Sequence, residues 1–405
     1  MIFLARLHYL CIMKRIFLIL CCCVLLAAPA RADKEHFSVL TCSPGDEAYS
    51  LFGHTALRYV NAGKGIDVVF NYGYFDFDSP DFMWRFIMGD TDYWVGAVPF
   101  DCFIPEYAER GSEVAEQVLN LSPEQEAHLL SALLKNTRRE NRVFRYNYFS
   151  SNCTTKARDI LLGSLGDGCT IAYNAAPASP STLRENLALK TAAHPWYAFG
   201  VDVILGSDID REASREERQF VPSNLMSDFA NASIVGKDGS RVPLVKATNI
   251  IARENKPAPA KSNFTPFNAS LLLLIFTLVV MLCELRKKKT YWGWDILLML
   301  MQGAAGCMIL FMWIFSQHPA VDANYAIILL NPLALLLMPI MVYRIIRHKS
   351  PVLAWVQTAF VLLFFLSAVV GLQSYPAPLY FCALALLSRS LFHIYKERIC
   401  ELNIV

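Results

Sequence analysis

The stretch Tyr146-Asn147-Tyr148-Phe149-Ser150-Ser151-Asn152-Cys153-Thr154-Thr155-Lys156-Ala157-Arg158-Asp159-Ile160-Leu161-Leu162 decides how this chain is read. With the residues before it, its first half predicts a strand over 142–149. Ser151 and Asn152 are N-cap residue types, and the residues after them predict a helix from about Cys153 to Leu165. A thiol therefore stands on the first turn of a helix. The dipole and the free N–H groups there favour a thiolate. Those N–H groups, with the Asn152 side chain and Ser151 beside it, are candidates to support the nucleophile or an oxyanion.

A thiolate nucleophile needs a base. Working outward, His54 is the candidate. It follows Gly53 and opens a predicted strand over 54–60, joined through the turn residues 61–65 to a second strand over 66–72. Asn71, on that second strand, is the candidate to orient the imidazole, with Tyr72, Asp67 and Glu47 as weaker ones. A third strand is expected over 93–98. Ser122-Pro123-Glu124-Gln125 opens a helix to about Glu140 with a capping box and proline at its first position. Strands and helices in separate runs indicate an α+β domain. Taken singly, a cysteine in an exported domain is more often buried or disulfide-bonded, and a lone histidine more often structural. Cys42, Cys102 and Cys169 allow at most one bond if Cys153 is kept for chemistry, and the pairing is not fixed. No CxxC spacing supports zinc, and no pattern calls for a cofactor.

Outward again, both ends are apolar. Lys14-Arg15, the run Ile16 to Ala27 and Ala30-Arg31-Ala32 have the form of a secretory signal over 1–32, with an uncleaved anchor as the alternative. After an exported domain at 33–254 and a linker at 255–267 comes a membrane domain at 268–405. Its spans are expected near 268–284, 295–315, 325–346, 352–372 and 378–394. Arg286 to Lys289 follow the first span, Arg344, Arg347 and Lys349 lie at the end of the third, and Lys396 and Arg398 follow the fifth, so those ends and the C-terminus are expected in the cytoplasm. The whole chain is 55% hydrophobic, with 37 Lys+Arg against 35 Asp+Glu. That composition excludes a disordered chain and gives no electrostatic footprint for nucleic acid. The near-neutral total hides an acidic exported domain, with 21 Lys+Arg against 30 Asp+Glu.

Three segments carry a family resemblance: Gly53-His54-Thr55-Ala56-Leu57-Arg58, Phe70-Asn71-Tyr72-Gly73-Tyr74-Phe75-Asp76-Phe77 and Tyr146 to Thr155. With Gly200 to Arg211, Phe220 to Leu225, His318-Pro319, Asn324 and Asn331-Pro332-Leu333, they resemble the Lnb family of lipoprotein N-acyltransferases along nearly the whole mature chain. The resemblance implies a circularly permuted papain-like exported domain of the NlpC and lecithin:retinol acyltransferase kind. It implies Cys153 as nucleophile and His54 as base. It implies diacylated lipoproteins and membrane phospholipid as partners of an integral inner-membrane enzyme whose catalytic domain is periplasmic. No motif fixes the third catalytic position.

A bilayer substrate gives other residues possible uses. Trp84, within the apolar run Phe82 to Met88, and the run Trp196 to Phe199 could meet lipid or line an acyl groove; ordinary core is the alternative. Tyr72, His318, Asn324 and Asn331 are candidate substrate contacts, with capping and loop packing as alternatives. Asp295, Asp322 and Arg389 fall in loops or near span ends, where a charge costs little. A membrane-tethered peptidoglycan peptidase or amidase, and a non-catalytic sensor, are the competing readings.

Overall fold

The computed structural model describes residues 35–47, 49–256, 263–347 and 352–402. The expected signal segment lies outside them, as do Lys349 and residues 257–262 of the expected linker.

The elements of the α/β region follow in chain order. Strands β1 (His36–Cys42), β2 (His54–Asn61) and β3 (Ile66–Tyr74) come first, then helix α1 (Phe82–Met88), β4 (Asp92–Pro99), α2 (Phe100–Glu109) and β5 (Val114–Leu119). Helix α3 (Pro123–Asn136), β6 (Val143–Arg145), α4 (Cys153–Gly163) and β7 (Thr170–Tyr173) follow. The region closes with α5 (Leu183–Thr191), α6 (Pro195–Ile204), α7 (Arg215–Arg218), α8 (Pro222–Ala230), β8 (Ala232–Val235), β9 (Arg241–Pro243) and β10 (Val245–Ala252). Seven strands form one antiparallel sheet in the order β10-β5-β1-β2-β3-β4-β6, and β7-β8-β9 form a small second one.

The main sheet is covered on both faces. Because side chains alternate along a strand, Phe37, Val39, Leu57, Tyr59, Phe70 and Tyr72 share one core with Leu129 and Leu133 of α3 and Ala157 and Leu161 of α4. Leu40, Cys42, Ala56 and Val69 join Phe103 and Tyr107 of α2 on the opposite face. The capping box of α3 forms as expected, between Ser122 and Gln125. That helix stops at Asn136, shortly before the exposed residues 138–142, which offer no apolar side to bury. The strand expected over 142–149 shrinks to Val143–Arg145. Beyond it Asn147 and Ser151 pair backbone to backbone across a tight turn.

Among the described residues, five helices are long and apolar enough to cross a membrane. Helices α9 (Pro266–Lys287), α10 (Trp292–Phe315), α12 (Val352–Val369) and α13 (Ala377–Leu402) are continuous. The third crossing, expected as one helix over 325–346, is broken. Short 3-10 turns at Pro319–Val321 and Tyr325–Ile328 precede α11 (Leu333–Ile346). Irregular backbone at membrane depth survives only where protein groups satisfy it. Gln302 Nε2 donates to Leu329 O at 2.6 Å, Asn331 Oδ1 accepts from Leu333 N at 2.9 Å, and Gln373 Oε1 accepts from Tyr325 N at 2.7 Å. Gly306 lets this segment approach: a Cβ there would lie 2.3 Å from Leu330 O.

Asp295 and Arg389 correct the expectation of harmless charges near span ends. Each is about 3% exposed, and Glu284, which the sequence reading passed over, is about 1%. The Arg389 guanidinium holds both Asp295 oxygens at 2.6 Å and Glu284 Oε1 at 2.7 Å. His393 Nε2 lies 2.9 Å from Asp295, and Lys396 Nζ lies 3.5 Å from Glu284. The cluster ties α9, α10 and α13 together at the end of the bundle far from the α/β region. Asp322, by contrast, is exposed as expected.

Candidate functional site

The site forms where β2, β3 and α4 meet. Gly53, at φ +84°, brings the chain back against Cys42, whose carbonyl oxygen would lie 2.4 Å from any Cβ there. His54 therefore enters β2 at its first residue, half-buried. Asn152 caps α4. Its Oδ1 accepts from the N–H groups of Thr154 and Thr155, both at 2.9 Å. Its Nδ2 donates to Tyr148 O at 3.0 Å and Phe220 O at 2.9 Å. That corrects one expectation. Both donors of Asn152 are engaged, so its side chain positions the helix and has none left for an oxyanion. The cap also occupies the second and third N–H groups of the helix, leaving that of Cys153 itself. Ser151 Oγ donates to Arg145 O at 2.9 Å and shapes the turn before the cap.

Cys153, the first residue of α4, is half-buried and carries a hydrogen bond from His54. Asn71 Oδ1 lies 2.8 Å from His54 Nε2. An amide oxygen can only accept, so this contact has His54 presenting a proton on Nε2. That leaves Nδ1 for the thiol. Burial alone would push the Cys153 thiol up. The His54 charge and hydrogen bond, the Thr55 N–H and the Thr154 hydroxyl outweigh it and bring the thiol down to about 7. Burial would likewise lower His54, but the Cys153 charge and its hydrogen bonds to Cys153 and Asn71 raise it above its ordinary value. The three residues are thus arranged as a thiolate–imidazolium pair with an amide holding the ring.

Two supporting residues escaped the sequence reading. The β3–β4 register shifts between Asn71 and Tyr74. Within that irregularity Gly73 packs under the imidazole: a Cβ there would meet His54 Cε1 at 2.6 Å and Asn71 Oδ1 at 2.9 Å. A glycine inside a strand pattern is the signal that marks such a close approach. Tyr107 of α2 stacks on His54, with ring centroids 6.1 Å apart and planes 14° apart. No local pattern announces that contact.

The remaining expected site residues lie elsewhere. Tyr72 points to the opposite face from Asn71. It is buried in the core, where its hydroxyl accepts from Asn136 Nδ2 at 3.0 Å. Asn324 is fully buried and donates to Val203 O and Ile204 O, both at 2.9 Å, so it joins α6 to the irregular third crossing. Asn331 caps α11 within the membrane domain. His318 Nε2 meets Phe86 O at 2.8 Å. These four engagements are packing, capping and domain joining. Asp67 pairs with Arg58 at 2.7 Å.

Trp84 is 56% exposed, and Met83 and Phe77 nearby are 58% and 60% exposed. Helix α1 is held to the end of α10 by Gln317 N donating to Met88 O at 2.7 Å and Ser316 Oγ donating to Ile87 O at 2.8 Å. Trp84 sits 5.6 Å from the Phe311 ring of α10. Aromatic contacts then run inward from Phe86 to Tyr146 and from Phe82 through Phe75 to Tyr93. Tyr93 and Tyr146 stack at 4.2 Å, and both phenols feel the Cys153 charge. Aromatic rings thus connect the thiol to the side of a membrane-spanning helix. Cys42, Cys102, Cys153 and Cys169 are all unpaired.

Two family models match the chain in order. Residues 28–186 match the Lnb N-terminal periplasmic domain, and residues 258–398 match the Lnb transmembrane domain. No curated protein and no solved structure matches it.

Proposed function

The chain belongs to the Lnb family, and from that premise we propose that it is a lipoprotein N-acyltransferase working through a Cys153 thioester. The observation that carries the proposal is the contact of Cys153, His54 and Asn71 at the start of α4, in a periplasmic domain joined to the membrane bundle.

In the first step the Cys153 thiolate attacks an acyl ester carbonyl of a membrane lipid. The donor is the sn-2 ester of the lipoprotein's own diacylglyceryl group or that of a phospholipid. The Cys153 N–H, free of the cap, is the backbone donor for the developing oxyanion. The ester C–O bond breaks, His54 gives its proton to the leaving alkoxide, and a thioester and a lyso product remain. In the second step the α-amine of the lipoprotein's N-terminal cysteine attacks the thioester. His54 takes the amine proton, the amide forms and the thiol is released. Asn71 holds the imidazole through both steps, so that one nitrogen meets each reacting group.

A permuted papain-like domain fits the chain order of His54 on a strand before Cys153 on a helix. Trp84 and its exposed neighbours on α1, beside Phe311 of α10, are the surface by which we expect the acyl chain to leave the bilayer. The basic residues at the ends of α9 and α11, and Lys396 and Arg398 in the last turns of α13, support a cytoplasmic C-terminus by the positive-inside bias. That leaves the catalytic domain on the side where exported lipoproteins are anchored.

The test is expression of the full chain in cells that lack lipoprotein N-acylation, with mass spectrometry of lipoprotein N-termini. The wild type is expected to restore an N-acyl group and Cys153→Ala is not. No gain in the wild type, or equal gain in both, rejects the acyltransferase reading.

A further inference from the structure

An oxyanion is held best by more than one donor, and the site described above supplies one, the Cys153 N–H. The Asn152 cap takes the N–H groups of Thr154 and Thr155, and both Asn152 donors are spent. The Thr55 N–H and the Thr154 hydroxyl are turned to the sulfur, and Ser151 Oγ donates to Arg145 O. Tyr107 lies on the face of the sheet opposite α4, with its hydroxyl against the Cys42 thiol. A second donor has to come from another element.

Sheet topology brings one. Strands β2, β3 and β4 run antiparallel to their neighbours, so β4 begins at the end of the sheet where β2 begins with His54. Tyr93, the second residue of β4, shares a face with Val95, which lies in the core that α4 covers. It stands opposite Phe144 of β6, which packs against that core as Cys153 does. Stacking on Tyr146 at 4.2 Å and on Phe75 at 4.8 Å fixes the plane of its ring. Tyr93 is 8% exposed, yet its hydroxyl has no hydrogen-bond partner among the described residues. A buried polar group left unpaired costs stability, so it calls for an acceptor that belongs there. Burial and the Cys153 charge raise this phenol above its ordinary value. It therefore keeps its proton when Cys153 is a thiolate. The Tyr146 hydroxyl is also unpartnered, but it faces Tyr197 of α6 as well as Cys153, whereas Tyr93 faces Cys153.

We propose that the Tyr93 hydroxyl is the second oxyanion donor, joining the Cys153 N–H on the carbonyl oxygen of the acyl ester under attack. The inference rests on the acyl-transfer reading and adds a catalytic residue to it. As Sγ bonds to the carbonyl carbon, the π electrons move to oxygen, and Tyr93 donates to that oxygen while keeping its own proton. When the C=O bond re-forms, the alkoxide leaves with the proton from His54, and the phenol is unchanged. Tyr146, stacked on Tyr93, holds the ring in place.

The test offers p-nitrophenyl butyrate to the full chain in detergent, with the burst of p-nitrophenolate reading thioester formation. Tyr93→Phe keeps the ring and its stack and removes only the hydroxyl. At saturating ester its burst should be about 100-fold slower than that of the wild type, with the half-saturating concentration little changed. Iodoacetamide alkylation of Cys153 should keep its wild-type rate, because alkylation builds no oxyanion. Tyr146→Phe should lose less. An equal burst rate in the wild type and Tyr93→Phe, a matching loss of alkylation, or a larger loss in Tyr146→Phe overturns the assignment. A wild type that releases p-nitrophenolate no faster than Cys153→Ala overturns the acyl-transfer reading itself, and the role of Tyr93 with it.

Discussion

Two of the protein's clusters of interacting ionisable groups, one around Cys153 at the start of α4 and one around Arg389 in the membrane bundle, differ in what they leave open. Around Cys153 only the supports are fully engaged. Asn152 makes four hydrogen bonds, Asn71 holds the ring, and Tyr107 and Gly73 bracket it, while the thiol and imidazole remain half-buried. Around Arg389 the charged groups themselves are engaged, each carboxylate against a cation and away from solvent. Burial with every charge matched fixes a structure. Partial burial, with one nucleophile and one base left facing each other, fixes a reactivity.

The sharpest way to break that contrast is to remove the nucleophile. Cys153→Ala is expected to cut N-acylation by roughly 10⁴-fold or more while thermal unfolding stays close to that of the wild type. A variant that lost fold as well as activity would make Cys153 a packing residue like those around Arg389. The opposite substitution is Arg389→Ala, which strands two buried carboxylates. It should destabilise the bundle by about 3–5 kcal/mol, read as a large fall in the unfolding temperature in detergent, with the Cys153 site intact in whatever protein folds.

Gly73→Ala comes next, because its Cβ would press on His54 Cε1. Acyl transfer should fall about 10–100-fold, with kcat affected more than KM, and thiol alkylation should slow. Unchanged kinetics would show that the imidazole has room to move. A gentler probe is pH. The Cys153 thiol lies near 7 and His54 is raised, so the reactive ion pair should grow as pH rises through about 7. It should be lost again when His54 deprotonates. Iodoacetamide labelling of Cys153 against pH reads the first limb, and in His54→Ala that midpoint should move upward, because burial then acts without the opposing charge. The smallest expected effect belongs to Trp84→Asp. It should reduce transfer from vesicle-borne lipid several-fold, the scale set by one partly exposed aromatic side chain no longer meeting hydrocarbon, and leave alkylation of Cys153 unchanged.

What the sequence revealed divides along the same line. The cap at Asn152, the hairpin of β2 and β3 and the His54–Asn71 pairing are set by short-range patterns, and all were legible. The sheet order, which places β1 between β2 and β5, depends on contacts across 78 residues of chain, such as Ser38 to Glu116. Tyr107 reaches His54 from a helix that no motif connects to it. The charge cluster was misread because distance to a span end was judged along each helix singly. Only packing reveals that Glu284, Asp295 and Arg389 meet from three helices. Asn324 and Asn331 looked like substrate contacts because they are polar residues near a loop. The broken third crossing explains them instead, since irregular backbone in a bundle needs partners.

The ties between α1 and residues 316–318, between Asn324 and α6, and between Gln373 and Leu205 have a kinetic consequence. They hold the region that carries Cys153 against the membrane bundle. For the proposed reaction, encounter is then a search in two dimensions, and turnover should follow the number of substrate molecules per unit area of bilayer. Dilution of that surface with inert lipid, at constant bulk substrate, should slow the enzyme as effectively as withholding substrate.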